Sequence, residues 1–323
     1  MFQVHPTRRC NLACAHCYSS SSPTEHASLP PEMVASAIDD AARIGFSVVS
    51  LSGGEPLLYE GLDEILATAA AAGMTVNLVS NGILIRSSRF ERHADRFGLV
   101  ALSLDGPRER HDALRRSPRA FDSVRAAAAE LSNAAIPFGV IHTLGSESLA
   151  DLETTAEIAA DWGAKLFQIH PFERSGRGVT AEGISPLTED DRLDAFLLAS
   201  LLGDRHPQMR IQLDLVHRDV ARCLPEAIHG ERLRDPSTPR ELVLQEDGSI
   251  VPLTYGLGRR YAVADLRERG LADAWSDFLG ERWPLLRRRS RAACLAVARG
   301  RFGDVAAWHS VLRDFAAEPR AES

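Results

Sequence analysis

The chain has 323 residues, 45% of them hydrophobic and 25% charged, with a formal net charge of −7. That length holds one large domain with a smaller appendage, and the composition is ordinary for a globular protein. The negative balance argues against a general nucleic-acid binder, and no apolar run reaches membrane-spanning length.

The opening Met-Phe-Gln-Val-His-Pro has no basic and apolar signal regions. Clustered thiols without an even disulfide framework suit a reducing compartment, so a cytoplasmic location is expected. A first strand is predicted over residues 3–8. It runs into Thr-Arg-Arg-Cys-Asn-Leu-Ala-Cys-Ala-His-Cys-Tyr, where Cys10, Cys14 and Cys17 account for three of the five cysteines. Thiolates grouped this tightly usually share a metal. Three on one loop suit an iron–sulfur cluster with one iron left open, because a closed cluster takes four thiolates. A structural zinc site would draw its fourth ligand from His5 or His16, although no second Cys/His pair follows at finger-like spacing. A redox pair of Cys14 and Cys17 leaves Cys10 without a part.

Pro30 and Pro31 open a helix with Met33, Val34, Ile38 and Ala41 on one face, closed by Gly45. Residues 47–51 form the second strand, and Leu62, Ile65, Leu66 and Ala69 mark the second helix, ending at Gly73. Strands over 74–79 and 99–104 flank a helical 89–96. A helix at 121–133, a strand at 138–143, a helix at 149–162 and a strand at 165–170 complete six βα units. This alternation predicts an α/β fold, a partial (β/α)6 TIM-like barrel whose chemistry sits at the C-terminal ends of its strands.

The residues just past each strand carry polar motifs. After the second comes Ser52-Gly53-Gly54-Glu55-Pro56, whose glycines permit close backbone approach to a ligand and whose carboxylate can accept from an ammonium group. Ser80-Asn81-Gly82 and Ser103-Leu104-Asp105-Gly106 follow the third and fourth, and either can be a plain turn. His142 with Thr143 and His170 with Pro171 end the fifth and sixth, as candidates for the cofactor or substrate end or as structural hydrogen bonders.

The cysteine string, with His16 in the ring position before Cys17, resembles the signature of the radical S-adenosylmethionine (radical SAM) superfamily. The resemblance implies a [4Fe–4S] cluster on Cys10, Cys14 and Cys17, its fourth iron chelating the amino and carboxylate groups of S-adenosylmethionine. Gly53, Gly54 and Glu55 match the family's Gly-Gly-Glu motif, implied to hold the cofactor's amino group. Ser80, Asn81, Ser103 and Asp105 are implied to contact its carboxylate and ribose, with His142 in the same cofactor-binding layer. It further implies an electron donor such as flavodoxin or ferredoxin, reductive cleavage to a 5′-deoxyadenosyl radical, and hydrogen abstraction from a substrate.

Residues 1–178 are assigned to the barrel, 179–209 to a linker and helix, and 210–323 to a C-terminal α+β extension. Residues 173–178 read as a flexible basic loop, 176–188 as a linker, 190–202 as a helix, 211–215 as a short strand and 241–257 as a hairpin. Leu266, Leu271 and Trp275 pack down the segment after it. This block resembles the SPASM and twitch extensions that carry auxiliary clusters, but Leu253 stands where a cysteine is expected. Only Cys223 and Cys294 follow the barrel. The expectation is a degenerate extension that covers substrate and relays no electrons. Both cysteines read as small buried apolar residues; alternatively Cys223 donates a hydrogen atom, as in peptide epimerases of the superfamily. Arg287, Arg288, Arg289 and Arg291 read as a solvated helix face, or as a docking patch for an acidic peptide or phosphate.

The substrate reading leans to a ribosomally made peptide, against a small molecule in cofactor, sugar or antibiotic biosynthesis. With the barrel starting near residue 3, a separate leader-binding protein is expected for a peptide. No nucleic-acid or membrane partner is expected. A non-enzymatic zinc module is the distant alternative.

Overall fold

A computed structural model describes residues 1–222 and 238–317 of the chain. Cys223 lies outside the described residues. The first half alternates strand and helix: β1 (Phe2–Val4), α1 (Pro31–Arg43), β2 (Val48–Leu51), α2 (Leu62–Ala71), β3 (Thr75–Ser80), α3 (Ser88–Glu91), β4 (Phe97–Ser103), α4 (Arg108–Arg115), α5 (Ala120–Asn133), β5 (Phe138–Leu144), α6 (Leu152–Asp161) and β6 (Leu166–Pro171). Next come α7 (Glu189–Arg205) and β7 (Arg210–Leu213). The C-terminal region holds β8 (Leu215–His217), α8 (Arg218–Ala221), β9 (Leu242–Leu244), β10 (Ser249–Pro252), β11 (Ala264–Asp265), α9 (Leu271–Asp277), α10 (Trp283–Ala298), β12 (Val305–Ala307) and α11 (Trp308–Ala317).

Ten strands form one sheet in the order β11-β10-β9-β1-β2-β3-β4-β5-β6-β7. β1 to β7 pair in parallel, as repeated strand–helix units require. The parallel series is longer than the six predicted strands. β7 adds a seventh, and β9 from the C-terminal region joins β1 in parallel as an eighth. The first strand is also shorter than predicted. From His5 the chain leaves the sheet, and its backbone turns to its own loop through bridges from Thr7 to Ser28 and Arg9 to Ser22.

The two faces of this sheet differ chemically. Phe2, Val4, Val49, Leu51, Leu78, Leu102, Val140, Phe167 and Ile169 are buried on the face covered by the helices. Strand registers put Gln3, Ser50 and Asn77 on the opposite face at one end, and Gln168 beside Gln212 and His170 beside Thr143 at the other. A barrel closed on itself would fill that interior with apolar layers. Here it is a half-accessible chamber of mixed lining, with Val79, Ala101 and Ile141 between the polar positions.

The C-terminal region shares the sheet and the core. β9 and β10 form the expected hairpin, turned by Gly248 at φ +85°. α9 docks on α1, where Asp40 accepts from the Ala272 amide at 3.0 Å.

Candidate active site

Cys10, Cys14 and Cys17 lie on the loop after β1, gathered with Leu12 and Ile83 in a small apolar cluster. Burial pushes the Cys10 thiol up to about 12. A thiolate there needs a cation beside it, and a ligated metal supplies one outright.

Two other loops clamp this one. From the turn after β2, Ser52, Gly54 and Glu55 amides donate to the carbonyls of Val4, Thr7 and Arg9, each at 2.9 Å. A Cβ on Gly54 would lie 2.3 Å from the Arg9 carbonyl oxygen. The close approach demanded of these glycines is therefore first to the cysteine loop itself. The second clamp is the turn after β6, where the predicted linker begins. Gly176 has φ +53°, and a Cβ there would fall 2.1 Å from the Tyr18 carbonyl. Arg177 donates from Nε to the Cys14 carbonyl at 2.7 Å, from Nη1 to Ser20 at 3.2 Å and from Nη2 to Ser21 at 2.7 Å. These bonds link residues more than 150 positions apart, so nothing local in the sequence marks Arg177.

Glu55 is fully buried at the end of β2. Its carboxylate accepts from the Ser80 hydroxyl at 3.1 Å to both oxygens, from the Asn81 amide at 3.0 Å and from the Leu57 amide at 3.3 Å. Burial outweighs these bonds and pushes its pKa up to about 7. Asn81 donates from Nδ2 to Asn11 at 2.7 Å and towards Cys10 Sγ at 3.8 Å. The ends of β2 and β3 thus meet the cysteine loop at one place.

A second polar centre surrounds Asp105, past β4. Arg115 at the end of α4 donates from Nε to its carboxylate at 2.6 Å and from Nη1 towards Cys14 Sγ at 3.9 Å. The Thr143 amide donates to the other carboxylate oxygen at 3.3 Å. Burial alone would raise the Asp105 pKa, but Arg115, His16 and His111 hold it far below the usual carboxylate range. His16 sits 3.4 Å from this carboxylate, and burial pushes its ring down to about 4. His111 accepts from the Asp105 amide at 3.1 Å and is pushed down to about 3 by burial. His142 is buried beside them, Nδ1 at 3.0 Å from the Leu104 carbonyl and Nε2 unpaired. Ser103 faces the chamber on the register of Ile141. Arg115 and His111 escaped the sequence reading. Their spacing on α4 is ordinary, and their partner lies across a turn.

The histidines considered as zinc ligands have other neighbours. His5 stacks on Tyr255 of the C-terminal region at 4.9 Å and meets Tyr18 edge-on at 5.8 Å. Near the end of β6, His170 pairs with Asp214 just past β7, and Glu173 is held by Arg313 and Ser310 of α11. Leu253 packs against the main core, Cys294 is fully buried, and Arg288 and Arg291 are exposed on α10. Among the described residues, no three His, Cys, Asp or Glu side chains converge to hold one metal ion. In a cubane each thiolate takes its own iron, so its thiols stand further apart than those around a single ion. Two buried thiols that face amide or guanidinium donors, with the half-buried Cys17 beside them, fit such a group.

Residues 4–159 match the Radical SAM superfamily. The AdoMet-dependent heme synthase of Methanosarcina barkeri is 33% identical over 56% of this chain and 52% of its own length. The Fe-coproporphyrin III synthase of the same organism is 26% identical over 92% of this chain and 81% of its own length. The sporulation killing factor maturation protein SkfB of Bacillus subtilis is 30% identical over 57% of this chain. The chain matches 45% of that protein's length, and so spans only about half of two of these three relatives. In fold, Streptococcus suis SuiB bound to S-adenosylmethionine superposes with a TM-score of 0.68 at 16% identity, covering 88% of this chain and 67% of its own. The structure of anSMEcpe with bound AdoMet gives 0.66 at 17%, covering 97% and 95%. No helix among the described residues is long and apolar enough to cross a membrane.

Proposed function

We propose that this chain, whose residues 4–159 match the Radical SAM superfamily and whose fold resembles solved structures with bound S-adenosylmethionine, is an enzyme that uses a [4Fe–4S] cluster and S-adenosylmethionine to abstract hydrogen from a polar substrate, a ribosomally made peptide above other classes. When bound, the reduced cluster and its cofactor supply a 5′-deoxyadenosyl radical. The observation that carries the assignment is the convergence of the β2 and β3 ends on the loop that bears the three thiols.

Cys10, Cys14 and Cys17 hold the cluster. Glu55, fixed by Ser80 and Asn81, accepts from the N–H groups of the cofactor's amino group. Asn81 and Arg115 place donors against the Cys10 and Cys14 sulfurs, which raises the reduction potential of a cluster there. Asp105 is taken up by Arg115, His16 and the Thr143 amide. Its part is to fix that layer, with Ser103 nearer the chamber. His142 closes the layer from behind. A flavodoxin- or ferredoxin-type donor supplies the electron, and a separate protein presents the peptide's leader. The C-terminal region acts as cover and brace. A hydrogen-donor role for Cys223 remains a proposal for mutagenesis.

The peptide preference rests on the chamber wall. Gln3, Asn77, Gln168 and Gln212, set among Val79, Ala101 and Ile141, present both donors and acceptors, which suits the alternating amides of a peptide backbone. SkfB, a maturation protein, points the same way. A tetrapyrrole is the second reading, favoured by the synthase match across nearly the whole chain.

Anaerobic reconstitution tests the core assignment. The chain should take up about four irons, turn brown and release 5′-deoxyadenosine with dithionite and S-adenosylmethionine, while Cys14→Ser should do neither. Binding of zinc alone would overturn it. Substrate class is decided by titrating the reconstituted enzyme with a precursor peptide encoded beside its gene and with iron coproporphyrin III. Binding of the porphyrin alone would displace the peptide reading.

A further inference from the structure

We propose that Arg177 is a positioning residue that holds the cysteine loop in its cluster-binding form, and that the C-terminal region holds Arg177's own segment in place. The proposal rests on the cluster reading of Cys10, Cys14 and Cys17.

Three nitrogens of one guanidinium reach three carbonyls of the loop, those of Cys14, Ser20 and Ser21. The Arg177 backbone amide adds a fourth bond, to the Cys17 carbonyl at 2.9 Å. The loop is therefore gripped at two of its cysteines and at the return turn behind them. That turn is strained: Ser20 has φ +56°, a left-handed conformation that glycine adopts freely and serine seldom does. An uncovered loop would relax out of it. Because the carbonyl of this same residue accepts from Arg177, the guanidinium holds the strained turn closed. A planar fork spans several carbonyls at fixed angles, whereas a lysine ammonium is a single point on a flexible stem.

The clasp is itself anchored. Four positions before Arg177, Glu173 is bound by Arg313 and Ser310 of α11. Ser175 Oγ reaches the Tyr18 carbonyl at 3.5 Å, and Gly176 leaves no room for a side chain between the two loops. The route thus runs from α11 to the Glu173 side chain, along the short backbone segment to Arg177, where the Ser175 amide donates to the Glu173 carbonyl at 2.8 Å, and from the Arg177 guanidinium to the cysteine loop. In this chain the C-terminal region reaches the cluster loop mechanically.

The test uses the full chain with Arg177→Gln, Arg177→Lys and Arg313→Gln, and Arg174→Gln as a control on the same turn. The first readout is alkylation of the cysteine-loop thiols by iodoacetamide in metal-free protein, mapped by mass spectrometry. Loss of three hydrogen bonds of ordinary strength predicts about a hundredfold faster labelling in Arg177→Gln. Lysine should rescue only part of this, Arg313→Gln should give a smaller rise, and Arg174→Gln none. The second readout is iron per chain and the electron paramagnetic resonance spectrum of the reduced, reconstituted protein. Arg177→Gln should hold less iron with an altered spectrum, while its thermal midpoint stays near that of the parent. Unchanged labelling, iron and spectrum in Arg177→Gln would overturn the clasp, as would full rescue by lysine. Unchanged labelling in Arg313→Gln would overturn the anchoring by the C-terminal region. If the parent chain itself takes up no cluster, the cluster reading fails, and the labelling ratios still decide the clasp.

Discussion

Glu55 is a carboxylate buried among a hydroxyl and two amides, in a setting that awaits a positive charge. Without one, burial keeps it protonated up to about pH 7. Its folded pKa lies above the ordinary 4.5, so its contribution to stability is full below pH 4.5 and is lost as pH rises towards 7. The difference is on the order of 3 kcal/mol. Urea unfolding of the metal-free protein should show that decline, and Glu55→Gln should remove it. The N–H groups of the cofactor's iron-bound amine donate to the ionised form, and the amine itself must lose a proton to ligate iron, so S-adenosylmethionine should bind the reconstituted protein at least about tenfold tighter at pH 8 than at pH 6. Calorimetry on Glu55→Gln should find weaker binding with a shallower slope, because only the amine then titrates. An unchanged slope in that variant would move the amino-group site elsewhere. Glu55 was legible because it stands in a contiguous Gly-Gly-Glu string just past β2, although its partners Ser80 and Asn81 lie 25 and 26 positions further on. Arg115 and Arg177 were not, since their partners are set by how distant loops meet.

At the level of elements, the Asp105–Arg115 pair ties α4 to the end of β4 deep in the protein, with the Asp105 side chain fully buried. Removing one member of a buried pair strands the other charge, at a cost of about 3–5 kcal/mol. Arg115→Met should destabilise the metal-free chain by that much in urea. Adding Asp105→Asn should restore part of the loss, because the stranded carboxylate is gone. If the double variant is no more stable than the single, the pair's value lies in packing. The β2 turn makes a second prediction at this scale. Gly54→Ala places a methyl where the Arg9 carbonyl sits, so the cysteine loop must move. Iron uptake should fall sharply on reconstitution while circular dichroism stays close to the parent's. Most elements were readable from periodicity, since helices α1 and α2 bury the residues that their 3.6-residue spacing selects. The exceptions lie where tertiary pairing decides: a first strand cut short because its loop folds on itself, and a glycine turn that binds a loop instead of linking two domains.

For the whole molecule, the boundary drawn between barrel and extension does not coincide with a physical seam. Leu242, Val243 and Leu244 of β9 are fully buried and pair with Phe2, Gln3 and Val4. Burying side chains of this kind is worth about 1.5–3 kcal/mol each. Tyr255 stacks on His5, so the C-terminal region also covers the start of the cysteine loop. A sequence read in chain order cannot show this, because a strand near residue 243 gives no sign that it belongs beside residue 3. Cutting the chain after residue 209 would leave β1 with an open, apolar edge beside the thiols, a template for association with other chains. The truncated protein should therefore elute as aggregate on gel filtration, melt without a cooperative transition and fail to hold iron, even though every cysteine of the motif is present. A monomeric, cooperatively melting fragment that binds its cluster would show instead that the barrel stands alone. The C-terminal region would then be a detachable cover, and the route from α11 to the cysteine loop would carry no weight.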